Sequence, residues 1–485
     1  MMKRDLNTRP TFSPFLPPQA AVALPFETLR MELHPQSQPA STVAQPVRFN
    51  LPRHGILASI ELEFTVTVTN TAATDAATKP TLYTQGIAAK LIEYCELLNS
   101  QGLSINRLHG EGFGFFDIRA NKMLNEDQFM LEEDHNYAIA EERIANADAG
   151  GTSGAPTPSA KTKTFALKIP FWFCDSPSRS LPLQFMNGET IMQLQLRDLQ
   201  NVIEVSHTAP TYGGGVVTQG FTQYTTSQNE TPDYASSAVT AVSWGPQAIK
   251  AYVTYYVLPE SHLNQYRAAM LSSVNEWPCN DETRQLVTWK ATATSASGGV
   301  TPATFKLDGI HGLASSVQFA VYNTRHKQTG RWNENLIKLT NIELMGSGKS
   351  ILGPAKITHE HLKKKIQRGQ YGFSYANKKL GKIQTKDFLA YSGISNQVAG
   401  HVTDLDVEQA EEYCYIYSFS MSPSRPELNH GVLNVSAIHN FSINLEFEQV
   451  TGETYELLFM TNNRSIVRTK PEQNGTLSMS KVVEA

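Results

Sequence analysis

Residues 59–69 alternate without a break: Ile60, Leu62, Phe64, Val66 and Val68 fall between Ser59, Glu61, Glu63, Thr65, Thr67 and Thr69. A period of two predicts a strand with one core face and one wet face. On a 3.6-residue wheel the same apolar residues scatter, which rejects a helix. Residues 165–203 hold two more strand-like runs. The first, 166–174, is almost wholly apolar and closes on Phe171, Trp172 and Phe173. The second sets Met192, Leu194 and Leu196 against Gln193, Gln195 and Arg197. Asp175-Ser176-Pro177-Ser178 and Met186-Asn187-Gly188 supply turn chemistry between them. Strand, loop and strand make an antiparallel β domain.

The pattern recurs along the chain. Residues 1–23 carry four prolines and no sustained period, and read as an arm; Lys3, Arg4, Arg9, Phe12 and Phe15 suit a lipid surface or a neighbouring subunit. Residues 24–33 predict a strand. Residues 91–107 fit either a short helix or a hairpin turning at Asn99-Ser100-Gln101-Gly102. Residues 117–147 are acidic with a helical pattern, and 147–163 have loop composition. Residues 208–244 form a connection, after which 247–258 resume strand character and a short helix follows Pro259, with Ser261 as its cap. Strands are expected at 286–292, 303–307, 317–322 and 336–344, then a polar loop over 346–409. An aromatic strand at 413–421, a turn at 422–431 and a long strand at 432–447, with Phe441, Ile443, Leu445 and Phe447 on one face, precede a last strand at 455–468.

At 485 residues the chain exceeds one ordinary core, so two or more domains are expected. A net charge of −4 provides no global basic field, so sequence-specific nucleic-acid binding is not expected. Cys95, Cys174, Cys279 and Cys414 form no CxxC pair and read as buried free thiols. No secretory apolar region opens the chain and no apolar run is long enough to span a bilayer.

Candidate chemistry is sparse. Gly346-Ser347-Gly348-Lys349-Ser350 imitates a phosphate-binding loop, but Glu343 stands where the motif needs its first glycine, and Gly353-Pro354 break the following helix. It reads as a strand-to-loop turn. His359-Glu360-His361 lacks the spacing that puts two imidazoles on one helical turn and reads as loop histidines. Lys363, Lys364, Lys365 and Arg368 form a basic patch, and Asp404, Asp406, Glu408, Glu411 and Glu412 an acidic one. Solvated charge is the plain reading; salt-dependent contact between subunits is the sharper one. Glu132, Glu133, Asp134, Glu141 and Glu142 suit a solvated helix face. Sequons at Asn229, Asn434, Asn440, Asn463 and Asn474 fall partly on strands, where glycosylation is not expected. No catalytic, cofactor-binding or metal-binding residue is assigned, and no enzyme is predicted.

Pro170, Phe171, Trp172, Phe173 and Cys174, followed by Pro182 and the alternating strand, resemble the first-barrel signature of double jelly-roll major capsid proteins, nearest those of nucleocytoplasmic large DNA viruses. The step Leu108-His109-Gly110-Glu111 and the residues Gly431, Asn434, Ser436 and Asn440 stand in matching places. The resemblance favours the hairpin at 91–107 and places the strand and helix after residue 247 at the opening of the second barrel. It implies an all-β chain of two tandem eight-stranded antiparallel jelly rolls with inserted helices and loops. The divisions expected are an arm over 1–23, a first barrel over 24–206, a connection over 207–246, a second barrel over 247–470 with an inserted loop at 346–409, and a tail over 471–485. It further implies a homotrimer that tiles an icosahedral shell in the virion. Partners would be neighbouring capsomers, minor capsid or penton proteins, and an internal membrane met by the arm. The alternative is a carbohydrate-binding or glycan-processing β-sandwich, such as a virion spike.

Overall fold

A computed structural model describes residues 26–40, 42–70, 81–83, 87–115, 130–131, 160–174, 177–199, 203–205, 212–213, 216–217, 240–292, 299–324, 336–353, 356–367, 370, 415–420 and 431–483. The arm, most of the acidic stretch at 117–147, the sequon Asn229, Cys414, Arg368, Asp404 and Asp406 lie outside the described residues.

Two barrels follow one another. The first is built from β1 (Glu27–Leu33), β2 (Pro46–Leu51), β3 (Ile56–Asn70), β4 (Ile92–Leu98), β5 (Ser104–His109), β6 (Ala160–Lys168), β7 (Thr190–Leu196) and β8 (Thr240–Val257). They form facing antiparallel sheets in the orders β1-β8-β3-β6 and β2-β7-β4-β5. The alternation in β3 and β7 does what a period of two requires. Ile60, Leu62, Phe64 and Val66 are buried, as are Met192, Leu194 and Leu196, while the residues between them are half-exposed. Residues 91–107 resolve as the hairpin β4–β5, entered through the short helix α1 (Ile87–Leu91). A second short helix, α2 (Gly110–Phe115), follows β5.

Helix α3 (Glu260–Leu271) links the barrels. The second contains β9 (Asn275–Lys290), β10 (Thr301–Lys306), β11 (Leu313–Asn323), β12 (Asn341–Gly346), β13 (Tyr415–Ser418), β14 (Ser442–Phe447), β15 (Thr454–Pro471) and β16 (Leu477–Val483). One sheet runs β9-β15-β11-β13, with β16 paired to β15; the other runs β10-β14-β12, with short strands Lys349–Ser350 and Ile357–Thr358 beside β12. Its core gathers Phe319, Tyr415, Phe441, Phe447, Tyr455 and Phe459. Phe319 stacks between Tyr415 and Phe459 at ring separations of 5.3 and 6.1 Å. Burial of each such ring contributes roughly 1.5–3 kcal/mol.

Several expectations need correction. The strand at 247–258 belongs to the first barrel. It is part of β8, which starts within the expected connection and lies between β1 and β3, matching Ile249 to Phe64 and Val253 to Ile60. Ile249, Ala251, Val253 and Tyr255 thereby complete the first core. The expected strand over 166–174 stops at Lys168, because Pro170 has no N–H to continue a ladder; Trp172–Cys174 is a 3-10 turn. Met130–Leu131, in the stretch with a helical pattern, pair as a strand with β6. Helix α3 starts after Pro259, and Ser261 lies inside it, so Ser261 is not the cap. The long strand expected over 432–447 is broken by the 3-10 turn Val435–Ala437 and by Asn440 at φ +53°. Residues 471–485 are no simple tail, because β16 is a ladder strand.

Candidate assembly site at the seam between the barrels

The chemistry of this molecule is concentrated where the first barrel meets the second. Strand β5 runs beside β9, and side chains do the pairing. Asn106 Nδ2 donates to the Asn280 carbonyl at 2.7 Å, the Arg107 N–H to the Asp281 carboxylate at 2.8 Å, and the His109 N–H to the Glu282 carboxylate at 2.6 Å. The Glu282 carboxylate lies against Gly112, where a Cβ would sit 2.4 Å from its oxygens. Only glycine leaves that space.

Behind this ladder lies a buried ion cluster. Glu111, on α2, accepts from Arg197 and, at 2.9 Å, from Arg284 of the second barrel; Arg284 also reaches Glu93 at 2.8 Å. Burial alone would raise the Glu111 carboxyl, but Arg197 and Arg284 outweigh it and hold it at about 2. The Arg284 guanidinium is likewise kept charged against its burial by Glu111 and Glu93. His109 is lowered to about 4, first by burial and then by Arg284. A desolvated ion cluster is costly to break from one side, so it fixes the relative placement of the barrels. On the second-barrel side the Tyr322 hydroxyl donates to Glu456, and burial followed by Glu456 pushes the phenol up.

The carboxyl-terminal strand closes the other end. The Asn99 side chain donates to the Met479 carbonyl at 3.0 Å, the Asn187 N–H to the Leu477 carbonyl at 2.7 Å, and Asn187 Nδ2 to Glu472 at 2.7 Å. Arg179 donates to the Pro278 carbonyl and Lys481 pairs with Asp281. Met270, Cys279, Val467, Leu477 and Met479 are buried in the first barrel's core.

The residues singled out from sequence fall in three places. Pro170, Phe171, Trp172, Phe173 and Pro182 are buried in or beside the first core, with Phe171 and Phe173 stacked at 5.4 Å. Cys174 is half-buried, its thiol donating to the Ile169 carbonyl at 3.3 Å. Gly431, Asn434, Ser436 and Asn440 gather at one corner of the second barrel. There Asn434 Oδ1 accepts from the Ala437 N–H at 3.2 Å, and Ser436 Oγ from the Gly312 N–H at 2.8 Å. Gly431 and Asn440 supply left-handed backbone, at φ +86° and +53°.

The charge patch is corrected at one position. Lys363 is buried in a π-helical turn, His361–Gln367, 5.8 Å from the centre of the Tyr415 ring, and cannot act as an exposed contact. Lys365 is exposed, and the side chain of Lys364 lies outside the described set. His359 is no ordinary loop histidine either: it is buried, and its Nδ1 shares a hydrogen bond with the Tyr415 hydroxyl at 2.8 Å. Gly346–Ser350 is a hairpin turn, with Ser347 and Gly348 at φ +52° and +77° and Lys349–Ser350 paired back onto β12. Glu93, Arg197, Glu282 and Arg284 are invisible as a site in the sequence, since they come from three separated segments; only the step from His109 to Glu111 marks the place.

Residues 31–244 match the family model described as the major capsid protein N-terminus. The match covers most of the first barrel and less than half of the chain, and in that part the chain is similar to the N-terminal portion of major capsid proteins. No curated protein matches the sequence. Among solved structures, this chain is similar to the PBCV-1 virus capsid, at 14% identity and TM-score 0.55 over 97% of this chain and 100% of that one. It is similar to the Faustovirus major capsid protein at 9% identity and TM-score 0.56, covering 93% of this chain and 92% of that one. For the Sputnik virophage structure the values are 12%, 0.52, 98% and 92%. The likeness spans both barrels, and the fold is a double jelly roll.

Proposed function

We propose that this chain is a major capsid protein that forms homotrimers whose six barrels give a nearly hexagonal outline, and that these capsomers tile an icosahedral shell. The observation that carries the reading is the pairing of two antiparallel barrels in one chain, locked side by side by a buried seam. A rigid double barrel lets a three-fold object present six similar edges. The arm at 1–23 would face inward, toward a membrane or minor shell proteins such as pentons, and the stretches 117–163 and 346–409 would form outer towers. Lys364, Lys365 and Arg368 would meet Asp404 and Asp406 across subunits, which makes assembly weaken as salt rises. Location in the virion shell follows from the role, with synthesis and assembly in the host cytoplasm. The glycan-binding alternative draws no support from the family match or the fold.

Light scattering on the purified full chain tests this. The expected mass is three times the 53.7 kDa chain, resistant to mild heating and reduced at high salt. A stable monomer at every salt concentration would overturn it.

A further inference from the structure

His109 sits at the end of β5, where the first barrel touches β9 of the second. Its ring is buried, only 7% exposed, and Nδ1 has no hydrogen-bond partner among the described residues. Charged and titratable groups face it from every side. Arg284 and Glu282 come from β9, Glu111 from α2 with Arg197 behind it, Arg107 from its own strand, and Tyr94 and the Glu93 carbonyl from β4; the Tyr94 ring is 6.3 Å away.

We propose that His109 is an acid-sensitive latch on the seam: neutral, it lets the second barrel dock; protonated, it drives β9 away. The geometry gives the reason. Nδ1 is unpartnered, and the new cation would lie near the Arg284 and Arg107 guanidiniums. The carboxylates beside it are already engaged: Glu282 accepts the His109 N–H, and Glu111 holds Arg197 and Arg284. The strain is relieved by moving β9, because β9 carries Arg284 and its polar bonds to β5 are few. Opening the seam returns the ring to water.

The direction of the pH effect follows. Docking lowers the histidine from its ordinary value near 6.5 to about 4. The docked state therefore binds the proton less well than the open one. Docking is at full strength above about pH 6.5 and weakens as pH falls toward 4. At pH 5 the docking equilibrium constant is about 20-fold below its value at pH 7, from those two values alone. Glu111, held at about 2, adds its own loss only below about pH 4.5, so the two effects separate.

Hydrogen exchange on the full chain, corrected for intrinsic rates, reads this directly. Between pH 7 and pH 5, protection of the β5 amides near His109 and of the β9 segment around Glu282 is expected to fall about 20-fold. The opening is local to β5 and β9 and leaves Met270, Val467, Leu477 and Met479 in the first core, so the amides of β3 should stay unchanged. In His109→Gln, which keeps a polar side chain but cannot take the proton, the fall should be under threefold. A fall of equal size in His109→Gln, or one that extends to β3, would overturn the latch. If His109→Gln does not fold, a proton NMR titration of the wild-type histidines decides: titration of His109 near 6.5 with the seam still protected would also overturn it.

Discussion

At the residue scale, backbone geometry and space separate two glycines that look alike in sequence. Gly431 and Gly452 both have φ +86°. A Cβ on Gly431 would lie 2.5 Å from the Phe419 carbonyl oxygen, whereas one on Gly452 would meet nothing within 4 Å. Alanine at 452 therefore suffers only left-handed strain, about 1 kcal/mol. Alanine at 431 adds a clash with backbone that cannot step aside, for a total of roughly 2–4 kcal/mol. Denaturant midpoints of Gly431→Ala and Gly452→Ala should rank in that order, and equal midpoints would remove the clash from the account. Such distinctions are illegible in one sequence, as Lys363 also illustrates. Beside Lys364 and Lys365 it reads as solvated charge, yet it is buried against Tyr415, and the two are 52 positions apart in the chain.

At the element scale, strands with one wet face were legible and strands with two dry faces were not. The alternation in β3, β7 and β14 carries over directly into burial, because each has a solvent side that demands polar residues. Strand β15 is buried on nearly every residue from Tyr455 to Asn463, so its pattern carries no face. Periodicity also says nothing of partners, which is why β8 was assigned to the wrong barrel and β16 read as tail. Yet β16 has a definite task. It pairs with β15 from Ser465 to Pro471, buries Leu477 and Met479 in the first core, and accepts from Asn99 and Asn187. Removing residues 472–485 should cost on the order of 3–6 kcal/mol for those two apolar side chains. Calorimetry should then show the single transition of the full chain separating into two. An unchanged melting profile would mean that β16 fastens nothing.

At the scale of the whole molecule, two barrels in sequence are not two independent folding units. The first core is completed from the far side of the linker: Met270 of α3, Cys279 of β9, Val467 of β15, and Leu477 and Met479 of β16. At roughly 1.5–3 kcal/mol for each large apolar side chain, those contacts are worth on the order of 10 kcal/mol. That is comparable to the entire stability of an ordinary domain, about 5–15 kcal/mol. Polar contacts point the same way, since Glu111 without Arg284 leaves charge buried with its compensation reduced. A fragment of residues 1–257 should therefore lack a cooperative thermal transition, although it contains every principal strand of its barrel. Mixing it during refolding with residues 258–485 should restore the transition, because the missing side chains arrive with the second piece. A cooperative melt of 1–257 alone at the full-chain temperature would show that the seam is an ordinary contact between finished domains. A shell unit that must hold two barrels in fixed relation under assembly stress is better served by a shared core than by such a contact.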